Sequence, residues 1–232
     1  MNKYKTRLML IMIVIIACTS VCSISLLGAP SSTKVIGTPA STKAIGHGVG
    51  NIMRHFQFED GEKTITQNIF NKGSIRNAAD AARIAKVIFC SIYGDDFNHG
   101  LPLIAEFNDA AQVWSFKTQL PKGVEGSTKQ LSIRTRNAEV VAITDGDKNV
   151  TENIFNTGCI RNATDAADVA RILFQTIYGD NFDCGMPLIV AFDDAEQVWL
   201  IQTQVPKWTD GGGKYLIIKK SNAEIVGIWG TL

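Results

Sequence analysis

Histidine is scarce in this chain of 232 residues, represented only by His47, His55 and His99. That stock argues against a histidine-built metal centre and leaves little for acid–base chemistry. Charge of one sign is missing too. The chain carries 23 basic and 22 acidic residues, a net charge of +1, so composition gives no basic footprint for nucleic acid. No block of like charges marks an interaction tail. Cysteine is equally sparing, and no CxxC occurs. Cys18 and Cys22 fall in an apolar stretch, which leaves Cys90, Cys159 and Cys184 as small core or loop residues. A Cys159–Cys184 bridge is disfavoured, because a helix of about 16 residues between them spans roughly 24 Å. A disulfide needs a Cα separation of only a few ångströms.

What is present begins with Lys3, Lys5 and Arg7, followed by Leu8–Ala29 without a charge. Basic residues ahead of an apolar run keep the N-terminus in the cytoplasm and send the rest across a membrane. The run matches the ~20 residues of a spanning helix. Residues 1–29 are therefore expected to be a signal anchor at a bacterial inner membrane. A cleaved signal peptide, giving a periplasmic or secreted product, is the alternative. Lipid attachment at Cys18 is a third, since Ile15-Ile16-Ala17-Cys18 resembles a lipobox. Pro30–Gly50 is rich in Ser, Thr, Gly and Pro, and residues 30–59 read as a flexible linker. Gly46, Gly48 and Gly50 make no dinucleotide fingerprint there, because no strand precedes them.

Beyond the linker the chain repeats itself. At an offset of 85 positions, Tyr93 onto Tyr178, it aligns without a gap, and roughly half the positions agree. NIFNKGSIRNAADAA faces NIFNTGCIRNATDAA, and QVWSFKTQLPK faces QVWLIQTQVPK. Two copies of so long a period indicate domain duplication, since solenoid repeats run to about 20–50 residues. The copies are placed at 60–145 and 146–232. In each, an Asn with an Asp three residues on (Asn77 and Asp80, Asn162 and Asp165) opens an apolar stripe of helical period. Helices are expected at Ala78–Tyr93 and Ala163–Tyr178, stopped by a left-handed Gly94 and Gly179. Alternation then predicts strands at Leu103–Phe107, Val113–Gln119, Gln130–Thr135 and Glu139–Ile143, with counterparts in the second copy. The fold class is α+β: a helix and a four-stranded antiparallel sheet, twice.

The residues IYGDxF, PLI, QVW, TQxPK and AEIVGI resemble a bacterial family with a cone-like, nuclear-transport-factor-2-like fold, the immunity proteins of polymorphic toxin systems. The matching positions are Tyr178-Gly179, Pro187, Val198-Trp199, Pro206, Gly211-Gly212 and Ile218. Copy 1 matches at Tyr93-Gly94, Pro102, Val113-Trp114 and Pro121, with Ser127 in place of the second glycine. The resemblance covers Ile65–Leu232. It implies a non-enzymatic protein that neutralises a cognate toxin by stoichiometric binding, with no cofactor and no metal. The alternative is an exported cone-fold module that binds a small molecule, peptide or glycan.

No catalytic set is expected. Asp95, Asp96, Glu106, Asp180, Asp193 and Asp194 are the available acids, and turn chemistry accounts for those that follow a glycine or join strands, as it does for Asp109. His99 is Cys184 in the other copy. Trp114 and Trp199 alternate with Phe116 and Ile201 and are expected to face the helix as core.

The contrast between copies is more telling. Strand positions of opposite parity point away from the helix. In copy 1 they are Glu106, Ser115, Lys117, Gln130, Ser132, Arg134 and Thr144. In copy 2 they become Ala191, Leu200, Gln202, Tyr215, Ile217, Lys219 and Trp229. Leu200, Tyr215, Ile217 and Trp229 are thus the candidate partner-binding residues, on a face that needs a cover.

A periplasm-sensitive reporter fused after Leu232 is expected to be active only outside the cytoplasm. Activity confined to the cytoplasm would overturn the topology, and Cys18→Ala releases the protein from the membrane only if a lipid holds it there.

Overall fold

The computed structural model describes residues 60–94, 97, 102–120, 122–123, 125–179, 182, 186–204 and 212–230. The apolar N-terminal segment, the linker, His99 and Cys184 lie outside them. The chain opens with α1 (Asp60–Lys72) and α2 (Ala78–Tyr93). A five-stranded sheet follows: β1 (Leu103–Asn108), β2 (Val113–Thr118), β3 (Lys129–Arg134), β4 (Val140–Asp145) and the short β5 (Lys148–Asn149). Then come α3 (Thr151–Thr157), α4 (Ala163–Tyr178) and a four-stranded sheet, β6 (Leu188–Asp193), β7 (Val198–Thr203), β8 (Lys214–Lys219) and β9 (Ile225–Gly230). Each sheet is an antiparallel meander in sequence order.

The long helices form where capping and periodicity place them. Asn77 and Asn162 take extended backbone, and each side-chain oxygen accepts the amide of the Asp three residues on at 2.9 Å. That satisfies one of the amides a helix start leaves unpaired. Ile84, Ile88 and Phe89 on α2, with Val169, Leu173 and Phe174 on α4, are fully buried, each contributing about 1.5–3 kcal/mol. At the C-terminal ends Gly94 has φ +88° and Gly179 φ +59°. Their ψ values of 172° and −135° differ from the left-handed helical cap expected, although each amide still reaches the carbonyl four residues back.

Three elements were not expected from the sequence: α1, α3 and β5. The two helices are equivalent under the repeat, and each docks on the last strand of the other copy. Thr66 on α1 donates its hydroxyl to the Ile228 carbonyl at 3.0 Å and accepts the Ile228 amide at 3.2 Å. Thr151 does the same for Ile143 of β4, at 3.2 and 2.9 Å. One hydroxyl thereby fills two main-chain positions that an edge strand leaves open.

The copies also grip each other directly. Arg83, early in α2, donates to Gln175 in the last turn of α4 at 3.0 Å, and Arg161, ahead of α4, reaches the Ile92 carbonyl at 2.9 Å. The two helices therefore run antiparallel. At the strand turns the Val140 amide donates to the Asn222 carbonyl and the Ile225 amide to the Asn137 carbonyl, both at 2.8 Å. These pairs interchange under the 85-residue offset, so the molecule has an internal pseudo-twofold. Buried side chains from both copies form a single core cluster.

Thr66→Val is expected to leave the Ile228 amide and carbonyl buried without partners, costing about 1–3 kcal/mol in urea unfolding. Thr151→Val should cost less, because the Val150 amide also reaches the Ile143 carbonyl, at 3.0 Å. Equal losses would show that the hydroxyl bonds do not set the difference.

Candidate binding surfaces

Strand pairing places Leu200, Tyr215, Ile217 and Trp229 together. Ala191 pairs with Leu200 and Leu200 with Ile217, while Gln202 pairs with Tyr215 and Tyr215 with Trp229. Directly paired side chains stand on one face of a sheet. The helix-facing side holds Trp199, Ile201, Leu216, Ile218 and Ile228, all in the main core, so the four candidates lie on the side away from α4. A β-bulge between Ile217 and Ile218 absorbs one extra residue of β9 and keeps Trp229 beside Tyr215. Their rings stack at 5.3 Å with 10° between planes.

With Ala191 and Val198 these residues make a second apolar cluster, separate from the main core. Its described members all come from the second sheet. Leu200 is 6% exposed, Ile217 5% and Trp229 3%, and Tyr215 is partly buried. The matching row in copy 1 is polar: Ser115 and Ser132 pair across strands with their hydroxyls 2.9 Å apart.

The candidate acids behave differently. Asp193 accepts the amides of Ala195 and Glu196, and Asp194 holds the side chain of Gln197 at 2.9 Å. Asp109 holds Gln112 in the same way. Gln112 and Gln197 have φ of +53° and +52°, so these bonds brace a strained turn residue in both copies. Glu106 is exposed on β1, and Asp95, Asp96 and Asp180 lie outside the described residues. Burial raises the proton affinity of Asp168 on α4, with Arg171 pulling it down and Asp165 up. Among the described residues no group of three His, Cys, Asp or Glu side chains is placed to share a metal ion. None of the described helices is long and apolar enough to cross a membrane.

Tyr178 ends α4 with the Lys214 ammonium 4.7 Å from its ring centre, and its hydroxyl has no hydrogen-bond partner among the described residues. Tyr93 and Lys129 repeat the arrangement at 5.0 Å. Cys159 is a free, buried thiol.

A cleft of about 860 Å³ opens at the end of the first sheet, where Lys72, Arg76 and Arg136 meet Phe70, Phe107 and Trp114, a site not expected from the sequence. The available signal was a set of differences from copy 2 in the loops and turns, outside the strands. No family model, curated protein or solved structure matches this chain.

Burial pushes the Cys159 thiol from 9.0 and the Tyr178 phenol from 10.0 up to about 12. Both groups hold their protons more tightly when folded, so the stability they contribute is intact below the ordinary values. It is lost as pH rises from there toward 12. Urea titrations at stepped pH should show that decline, and Tyr178→Phe should flatten it between pH 10 and 12. An unchanged alkaline limb would show that the phenol takes no part.

Proposed function

We propose that the chain is a non-enzymatic, exported binding protein of the immunity type, built on cone-like, nuclear-transport-factor-2-like units and anchored at the outer face of a bacterial inner membrane. It acts stoichiometrically, laying a folded surface over a cognate toxin domain. The observation that supports this reading is the apolar layer of Leu200, Tyr215, Ile217 and Trp229. The first sheet holds serine, glutamine and threonine at the same register, so this backbone does not require apolar side chains there. Aromatic residues clustered at the centre of a patch are the usual carriers of interface energy. Leu200, Ile217 and Trp229 are already withdrawn from water, so a partner gains less than the burial of a fully exposed patch.

The test is made on the full chain in its native host. A photoreactive amino acid at Tyr215 should crosslink to an exported toxin, while the same group at Gln130, its copy 1 counterpart, should not. Leu200→Ser with Ile217→Ser recreates the copy 1 face and should leave the protein folded. Because only part of the burial energy of the two anchors goes into binding, a loss of toxin affinity of about tenfold or more, with loss of protection, is expected. If this variant is destabilised yet binds and protects as before, the layer is an internal seam and the reading fails.

A further inference from the structure

The cleft at the end of the first sheet lies between the C-terminal turn of α1, the Asn108–Gln112 turn and the residues after β3. Its aromatic wall is Phe70, Phe107 and Trp114, with Phe107 and Trp114 at 4.7 Å between centres. Phe107 is 38% exposed, a large apolar ring left in water. Four cations line the cleft, Lys72, Arg76, Arg134 and Arg136, and among the described residues no carboxylate does. Arg134 is held by Glu139 at 2.6 Å. Lys72, Arg76 and Arg136 meet no carboxylate among the described residues, and the Arg136 guanidinium sits 6.0 Å from the Phe70 ring centre. The indole N–H of Trp114 likewise has no partner among them.

The second copy is an internal control, because the same place there is shut. Lys220 stands where copy 1 has Thr135 and lies across Gly158, so close that a Cβ built on that glycine would come within 2.9 Å of its Cγ. Its ammonium is 5.4 Å from the ring of Phe192, the counterpart of Phe107. Trp199, the counterpart of Trp114, is 7% exposed and donates its indole N–H to the Ile160 carbonyl at 3.1 Å. Arg161, the counterpart of Arg76, spends its donors on the carbonyls of Ile92 and Gly158 and on the Thr157 hydroxyl. In copy 1, around Gly73, the nearest atoms to such a Cβ are main-chain oxygens at 3.6 and 3.7 Å. Four replacements separate the two states. Thr135 for Lys220 removes the plug, Ala111 for Glu196 removes a carboxylate, and Lys72 for Thr157 and Arg136 for Ser221 add cations.

Thr135 opens the site at the cost of one cation, the other three changes make it more positive, and the aromatic residues are the same in both copies. We infer that this cleft binds an organic anion carrying a planar ring, with the ring against Phe107 and Trp114 and the carboxylate held by Arg76 and Arg136. A guanidinium offers paired donors to a carboxylate and stacks on a ring face, which fits both halves of such a ligand. The carboxylate and ring can come from a free aryl acid or from acidic residues flanking an aromatic one in a peptide.

The test uses the full chain in detergent micelles, labelled with 5-fluorotryptophan and followed by fluorine NMR. Its four tryptophans are assigned by single replacements with Phe. Phenylacetate, or the peptide acetyl-Glu-Tyr-Glu-amide, should shift the Trp114 signal, leave Trp199 in place, and act far more strongly than uncharged phenylacetamide. Tighter binding of the peptide by tenfold or more assigns the ligand to a protein segment, and equal or weaker binding to a small molecule. Arg76→Gln with Arg136→Gln should weaken either probe by about tenfold or more. Thr135→Lys adds a positive charge yet should also weaken binding, because the lysine fills the cleft as Lys220 does. If neither probe moves Trp114, if phenylacetamide does as well, or if Thr135→Lys tightens binding as mere surface charge would, the inference is wrong.

Discussion

Two main-chain hydrogen bonds exchanged across the pseudo-twofold hold the rest of this structure in place. The Val140 amide to the Asn222 carbonyl and the Ile225 amide to the Asn137 carbonyl join the turn of one sheet to the turn of the other. To present these groups, Ala138 and Ala223 adopt φ of +57° and +58°, a conformation that a residue with a Cβ enters at a cost. The side chains add a second tier, Asn137 to Glu224 at 3.2 Å and Asn222 to Glu139 at 3.5 Å. With the turns fixed, α2 and α4 lie antiparallel, and one core serves both copies. A unit of this size buries only about 60–65% of its surface when folded alone, so sharing a core matters to each.

The same symmetry explains why the ends of the two sheets are covered as they are. β9 ends its sheet, β4 is followed only by the two-residue β5, and each of the two receives a threonine hydroxyl from the leading helix of the opposite copy. For β4 that helix follows a few residues on, directly after β5. For β9 it is α1, 162 positions away in sequence. The start of the described chain is therefore fastened to its end, and the closure makes the duplicated halves interdependent despite their matching sequences.

How much of this was legible depended on whether a signal is local. The long helices were, because an Asn cap, an Asp at the third position and an apolar stripe all sit within one segment. The strands followed from alternation, and the side occupied by Trp199 followed from parity. Helices α1 and α3 were not legible. DGEKTITQNIFNK is polar on average, and α3 has seven residues and no side-chain cap. Their helical state depends on docking against a strand of the other copy, which no local pattern records. The apolar row of copy 2 was legible only because copy 1 supplied the comparison at matched positions. The cleft escaped because its residues come from the last turn of α1, the segment after it, the ends of β1 to β3 and two turns, and each is unremarkable alone. A solitary lysine or arginine reads as solvated surface.

Set side by side, the copies have diverged in complementary ways. Copy 1 keeps a polar outer face, with Ser115 and Ser132 bonded to each other, and opens the end of its sheet. Copy 2 shuts that end with Lys220 and turns its outer face apolar. Neither change is needed for folding, since each copy shows that the fold accepts the other choice. Drift alone would scatter differences over exposed positions. Of the four changes around the cleft one opens it and three make it more positive, while the four on the outer face all favour burial. A duplicated fold with an internal twofold begins with two equal surfaces of each kind. This chain retains one of each, on different copies, so alterations of Leu200 and Ile217 act on one surface and those of Arg76 and Arg136 on the other.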